Sequence, residues 1–263
     1  MKRLFLSLVA AFGLSVAASA ATITQTIDKT FDVRPGAQFV LSNVNGRIVV
    51  HAWDQPRIHV VAEKQVEGDR DQVEEVMKQL KIEIQSRDGG LIVATRQPKQ
   101  SDGLGGLFDL LTGDHVNVNV RYDVTVPRTM NVAVDNTNGS ITLTEVTGRH
   151  DLSTTNGRIE VTRCSGSLEA STTNGSIEAE LLKVTRNERL ELETTNGRIE
   201  IAVPADFSGD VDADTTNGSI HTDLPISTRR LSKNSLRGTV NGGGSPLRLR
   251  TTNGGIEIRV AQR

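Results

Sequence analysis

Apolar and polar residues alternate strictly through short segments of the second half of the chain. Leu168-Glu169-Ala170-Ser171, Leu190-Glu191-Leu192-Glu193, Val211-Asp212-Ala213-Asp214 and Leu247-Arg248-Leu249-Arg250 each lead into a Thr-Thr pair. Ile159-Glu160-Val161, Ile177-Glu178-Ala179, Ile199-Glu200-Ile201 and Ile256-Glu257-Ile258 follow a little further on. A period of two means strands with one buried face and one wet face. The first Thr of each pair falls in phase with the apolar set and is expected to line an inner corner. The second falls in phase with the charged set and is expected to face solvent.

Between the two kinds of segment stands an Asn-Gly pair, with isoleucine two residues beyond the Gly. It occurs at Asn45, Asn138, Asn156, Asn174, Asn196, Asn217 and Asn253, and in five copies the Thr pair precedes it. Asn-Gly between alternating runs is also a strong hairpin signal. An antiparallel meander therefore competes with a stack of coils. The two runs flanking each Asn-Gly differ from one another, yet each resembles its counterpart one period away. The copies recur at intervals of 18, 18, 22 and 21 residues from Asn138 to Asn217. Both facts favour stacking of equivalent residues, so the expected fold is all-β: a parallel β-solenoid with a small helix-bearing insertion.

Four stretches follow: a leader (1–20), N-terminal strands with the first repeat (21–65), an insertion (66–115) and the repeat domain (116–263). Within the insertion Val73, Val76, Met77 and Leu80 share one helical face, with Asp71 and Glu74 placed for a capping box. Strands are expected at Lys81–Gln85, Leu91–Arg96 and Val116–Val126. The Ser101–Asp114 segment is glycine-rich yet carries Leu104, Leu107, Phe108, Leu110 and Leu111, which predicts an insertion that folds back on its own domain; the alternative is a docking segment for a partner or a membrane surface.

Val126-Pro127, the serial Thr-Thr-Asn-Gly-x-Ile phrases, and Thr239 to Gly244 running on to Leu247–Ile258 resemble a bacterial family of exported β-strand repeats. It is the "putative adhesin" family, domain of unknown function 4097. The resemblance covers about Val116 to Val260 well and Phe39–Val50 more loosely. It implies the repeat fold and an adhesive or binding role at the cell envelope. It brings no active-site residue with it.

Composition narrows the choice. Lys2 and Arg3, an apolar run from Leu4 to Ala17, and Ala18-Ser19-Ala20 form the pattern of a secretory signal peptide cut before Ala21. An exported protein of the periplasm, cell surface or medium is expected, with no membrane span after cleavage. Without Lys2 and Arg3 the chain carries 28 basic and 32 acidic residues, so it has no electrostatic footprint for nucleic acid. Cys164 is the only cysteine, which excludes an intrachain disulfide and reads as a small half-buried strand residue.

The sequence offers chemical candidates rather than a site. Glu160, Glu178, Glu200 and Glu257 hold one repeat position, as a decorated surface does, and aromatics make up only 3% of the chain. Both facts count against a polysaccharide-cleaving enzyme, which needs one special carboxylate pair beside aromatic platforms. Asp210, Asp212 and Asp214 share a face at about 6–7 Å spacing, which is wide for one calcium shell. His51 and His59 bracket Trp53; His115, His150 and His221 are scattered. No residue is assigned a catalytic, metal or cofactor role. The expected function is a non-catalytic envelope scaffold whose partner is a protein or glycan. The alternatives are an enzyme acting on envelope polysaccharide and an envelope-stress or signalling accessory protein.

Overall fold

A computed structural model describes residues 20–34, 36–97 and 116–261. The leader before residue 20, the Ser101–Asp114 segment and His115 lie outside them. The chain begins with β1 (Ala20–Asp32), β2 (Gln38–Ser42), β3 (Ile48–Trp53) and β4 (Arg57–Asp69). The helix α1 (Arg70–Gln79) and strands β5 (Lys81–Arg87), β6 (Gly90–Arg96) and β7 (Asn117–Pro127) follow. The repeat body comprises β8 (Asn131–Asn138), β9 (Ile141–Thr144), β10 (Thr147–Asn156), β11 (Ile159–Asn174), β12 (Ile177–Lys183), β13 (Leu190–Asn196) and β14 (Ile199–Val203). The chain closes with β15 (Gly209–Asn217), β16 (Ile220–Thr222), β17 (Ile226–Leu231), β18 (Ser235–Val240), β19 (Ser245–Asn253) and β20 (Ile256–Val260).

Strands before each Asn-Gly pair form one column and strands after it another. The first column runs β6, β2, β8, β10, the second half of β11, β13, β19, β15, with every neighbour parallel. The second runs β7, β3, β9, the first half of β11, β12, β14, β20, β16, again parallel throughout. Ile159 pairs with Ile177 in parallel register, as stacking requires and a hairpin forbids. Inward side chains form files: Ile48, Ile141, Ile159, Ile177, Ile199 and Ile256 lie one above another, none more than 1% exposed. Identical side chains at one strand spacing pack in register from coil to coil.

The expectation of a purely parallel solenoid needs correction, because the fold is mixed. At one end β5 pairs antiparallel with β6, and β4 antiparallel with both β7 and β1. At the other end β18 pairs antiparallel with β15 and with β17. A terminal coil exposes unpaired N–H and C=O groups, and antiparallel strands cover them; β5–β6 and β17–β18 do so through short turns.

Stacking order also departs from chain order. The first coil, β2 and β3, sits between β6/β7 and β8/β9. The last coil, β19 and β20, sits between β13/β14 and β15/β16. Both outlying coils are thus clamped on two sides instead of ending the stack. The helix packs on β4 and β1, with Val73 fully buried. Its N-cap is Asp69, without a side-chain cap bond, so Asp71 lies inside the first turn and not at the cap position that the expected capping box requires.

Candidate functional site

The Asn-Gly corners determine what the surface can offer. No Asn of the motif adopts positive φ, and the Gly157 N–H bonds to Asn174 O of the next coil, so the pair does not close a hairpin. Glycine is demanded by close approach: a Cβ on Gly157 would collide with the carbonyl of Gly139, and one on Gly175 with that of Gly157. The asparagines form a continuous amide ladder. Asn138 donates to Asn45, Asn156 to Asn138, Asn174 to Asn156, Asn196 to Asn174, Asn253 to Asn196 and Asn217 to Asn253, all at 2.7–2.9 Å. Every donor points the same way, so the amide dipoles add along the stack.

One position further in, the first threonines are 5% exposed, as their phase predicts. Thr154, Thr172, Thr194, Thr251 and Thr215 donate through Oγ1 to the glycine carbonyls of the adjoining coils. Asn136 takes the same place and donates to Gly46 O, and Asn43 donates to Val120 O. Thr95 of β6, inside the 66–115 stretch, continues this file, bonded to Asn43 at 2.9 Å and to the Tyr122 hydroxyl at 2.7 Å. Apart from Thr95 these groups satisfy buried backbone carbonyls, and all are engaged within the fold.

The second threonines, Thr155, Thr173, Thr195, Thr252 and Thr216, are exposed in a row. Beside them on the same face run Ser153, Ser171, Glu193, Arg250 and Asp214. Where these rows reach the end of the stack, the β17–β18 turn stands against them. Asn234 O accepts from Thr215 N–H and Lys233 O from Ile220 N–H. The rows and Ser232, Asn234 and Ser235 of the turn enclose an open groove of about 750 Å³. The second threonines were legible from their phase. The turn residues were not, because their place depends on the chain doubling back.

Charges on this face are largely spent on one another. Arg248 meets Glu191 at 3.4 Å, and Arg250 reaches Glu193 at 3.9 Å, Asp212 at 3.5 Å and Asp214 at 3.6 Å. Arg237 reaches Asp212 at 3.1 Å and Asp214 at 3.6 Å. Partial burial tends to raise the Asp214 pKa, but the Ser235 hydroxyl, Arg237 and Arg250 outweigh it and hold the carboxyl below its ordinary value. The cations that Asp212 and Asp214 meet are therefore arginines, while Asp210 lies near Gly244 N–H.

The other candidates are dispersed. Glu160, Glu178, Glu200 and Glu257 do form a file on the second column, with Arg158 on Glu178 and Arg259 bridging Glu200 and Glu257 at 2.8 Å. His59 stacks on Trp53 with ring centroids 6.3 Å apart and contacts Asp28 at 2.7 Å, whereas His51 turns to Thr125. Cys164 is fully buried rather than half-buried, and burial pushes its thiol up to about 11. His150 is fully buried, and among the described residues neither ring nitrogen finds a well-formed hydrogen bond. No group of three or more metal-ligating side chains occurs among the described residues, and none of their helices is long and apolar enough to cross a membrane.

No curated protein sequence matches the chain. Among solved structures, it is similar to a "putative cell adhesion protein" from Clostridium sporogenes at 11% identity, covering 89% of this chain and 99% of the other, with a TM-score of 0.45. It is also similar to a "putative adhesin" from Bacteroides fragilis at 12% identity, covering 89% and 97%, with a TM-score of 0.28. A "putative lipid binding protein" from Parabacteroides distasonis is 9% identical over 91% and 96%, with a TM-score of 0.22. The family profile described as Toastrack DUF4097 matches residues 81–259, spanning the insertion strands, the whole repeat body and the returning last coil. The chain belongs to the Toastrack DUF4097 family.

Proposed function

We propose that this protein is a non-catalytic binding scaffold of the cell envelope that holds a protein or glycan on the outer face of its first column. The observation that carries this reading is the hydroxyl-lined groove of about 750 Å³ between the threonine rows and the β17–β18 turn. Its donors and acceptors recur at the strand spacing of about 4.8 Å on a framework already fixed by stacking. A repeating ligand would meet many weak contacts at once while little of the protein is ordered on binding. An enzyme cleaving polysaccharide on this face would need one carboxyl protonated near neutral pH. Asp214 is held in the opposite direction, and Glu193 is tied to the same Arg250.

The test pairs a glycan array with capture from an envelope extract, using the wild-type chain and the double variant Thr195→Arg/Thr252→Arg. The wild type should retain a ligand that the variant binds at least tenfold more weakly, with an unchanged melting temperature. Equal capture by the variant counts against the groove. Polysaccharide turnover by the pure chain, abolished by Glu193→Gln, would replace binding with catalysis.

A further inference from the structure

Strand β4 alternates cleanly, and Ile58, Val60, Ala62 and Val66 are all fully buried. Lys64 occupies the same inward phase and is only 6% exposed. An ammonium in an apolar file is costly unless it is paired. Among the described residues its one hydrogen bond goes from Nζ to Leu80 O at 3.1 Å, and no carboxylate of theirs pairs with it. Burial lowers its pKa. Inward charges sometimes guard open sheet edges against aggregation. That explanation does not apply here, because β4 is paired on both sides, by β1 and β7.

Lys64 lies beneath the C-terminal end of α1, where its ammonium reaches the carbonyl of the C-cap residue Leu80. Between β1, α1 and β5 runs an open groove of about 720 Å³. Among the described residues its apolar lining is Ile23, Met77, Leu80 and Ile82, and its basic lining is Lys64, Lys78 and Lys81 against one acid, Glu83. That volume falls within the usual range for small-molecule sites. An apolar channel with a buried cation at its floor and two more at its rim has the complementarity of one chemical class.

We infer that this groove binds an amphipathic anion, an acyl chain bearing a carboxylate or phosphate head, with the chain against Ile23, Met77 and Ile82 and the head at Lys64. Lys78 and Lys81 draw the head inward, and its charge supplies an anionic partner for Lys64. This site is separate from the hydroxyl groove of the first column, so either can fail without the other.

The probes are sodium oleate below its micelle concentration, oleyl alcohol, and phosphatidylglycerol vesicles, each titrated calorimetrically into the full chain. Oleate should bind saturably at one per chain, and oleyl alcohol at least tenfold more weakly. Lys64→Met should weaken oleate at least tenfold and Lys64→Arg much less, with melting curves confirming folded protein. The exposed pair Lys78→Glu/Lys81→Glu, which leaves the core untouched, should weaken oleate by a similar factor and keeps the test decisive should Lys64→Met not fold. Oleate binding unchanged in either charge variant, or no saturable binding at all, overturns the proposal. So does binding to the vesicles without binding of free oleate, which would make the patch a membrane-surface contact rather than an acyl site.

Discussion

At the scale of single residues, the same side chain type does opposite work on neighbouring positions. Thr172 is a corner pin bonded to Gly157 O, while Thr173, the next residue, faces water in the groove. His150 shows what happens when the pattern is broken inside. It lies in register with Val132 and Leu168, an imidazole between aliphatic side chains. Burial pushes its pKa down to about 4, against a smaller opposing pull from the backbone of Ser165 and Val146. The unfolded chain keeps an ordinary histidine near 6.5 and so binds more protons than the native state between those values. Stability should therefore be fully present above about pH 6.5 and decline as pH falls toward 4, by on the order of 3 kcal/mol from this group. In His150→Leu, which copies the residue one coil on, that part of the slope should vanish. Urea unfolding at pH 7 and pH 4.5 checks it: equal losses in both proteins would remove His150 from the account.

At the scale of elements, the question is why the last coil slips inside the stack. Its outward residues are Arg248 and Arg250, whereas β13 presents Glu191 and Glu193 and β15 presents Asp212 and Asp214. Placing β19 between them alternates acidic, basic and acidic strands, and like charges directly opposite are avoided. The side chains are partly exposed, so each pair contributes only about 0.2–1 kcal/mol after solvent screening. Arg248→Glu/Arg250→Glu should destabilise the chain by about 2 kcal/mol, since favourable contacts become repulsive. The loss should shrink in 1 M salt. Adding Glu191→Arg/Glu193→Arg should recover part of it. Thermal melts at low and high salt are sufficient, and a salt-independent loss would mean that packing, rather than charge, places the coil.

At the scale of the whole molecule, equivalence between coils is the governing property. Asn156 and Asn174 stand in register, as do Ile159 and Ile177. Excising residues 157–174 joins Asn156 to Gly175 and should yield a folded stack one coil shorter. Nearest-neighbour contacts dominate such folds, so the urea m-value should fall with size while the circular dichroism signature stays the same. Truncation after Val240 should behave differently. It removes the coil between β13/β14 and β15/β16, leaving long unpaired edges, and self-association is the expected result by sedimentation. A soluble, fully folded truncation would mean that the coils can re-stack in chain order.

The alternation, the Asn-Gly period and the Thr phase were enough to establish strands, their inward faces, the parallel register of successive copies and the helix near Val73. These are local facts, set by which side chains can be buried one strand spacing apart. The first column's Arg and acid rows were also visible as residues, and Lys64 stood in an apolar phase for anyone counting by twos. Stacking order, the antiparallel closures, the groove beside Ser232–Ser235 and the basic cavity beneath α1 depend on the folded chain. Coils that present nearly identical edges can be stacked in more than one order at similar backbone energy. The order is decided by contacts between residues far apart in the chain, such as Arg250 with Glu193 and Asp214, and no local period encodes them.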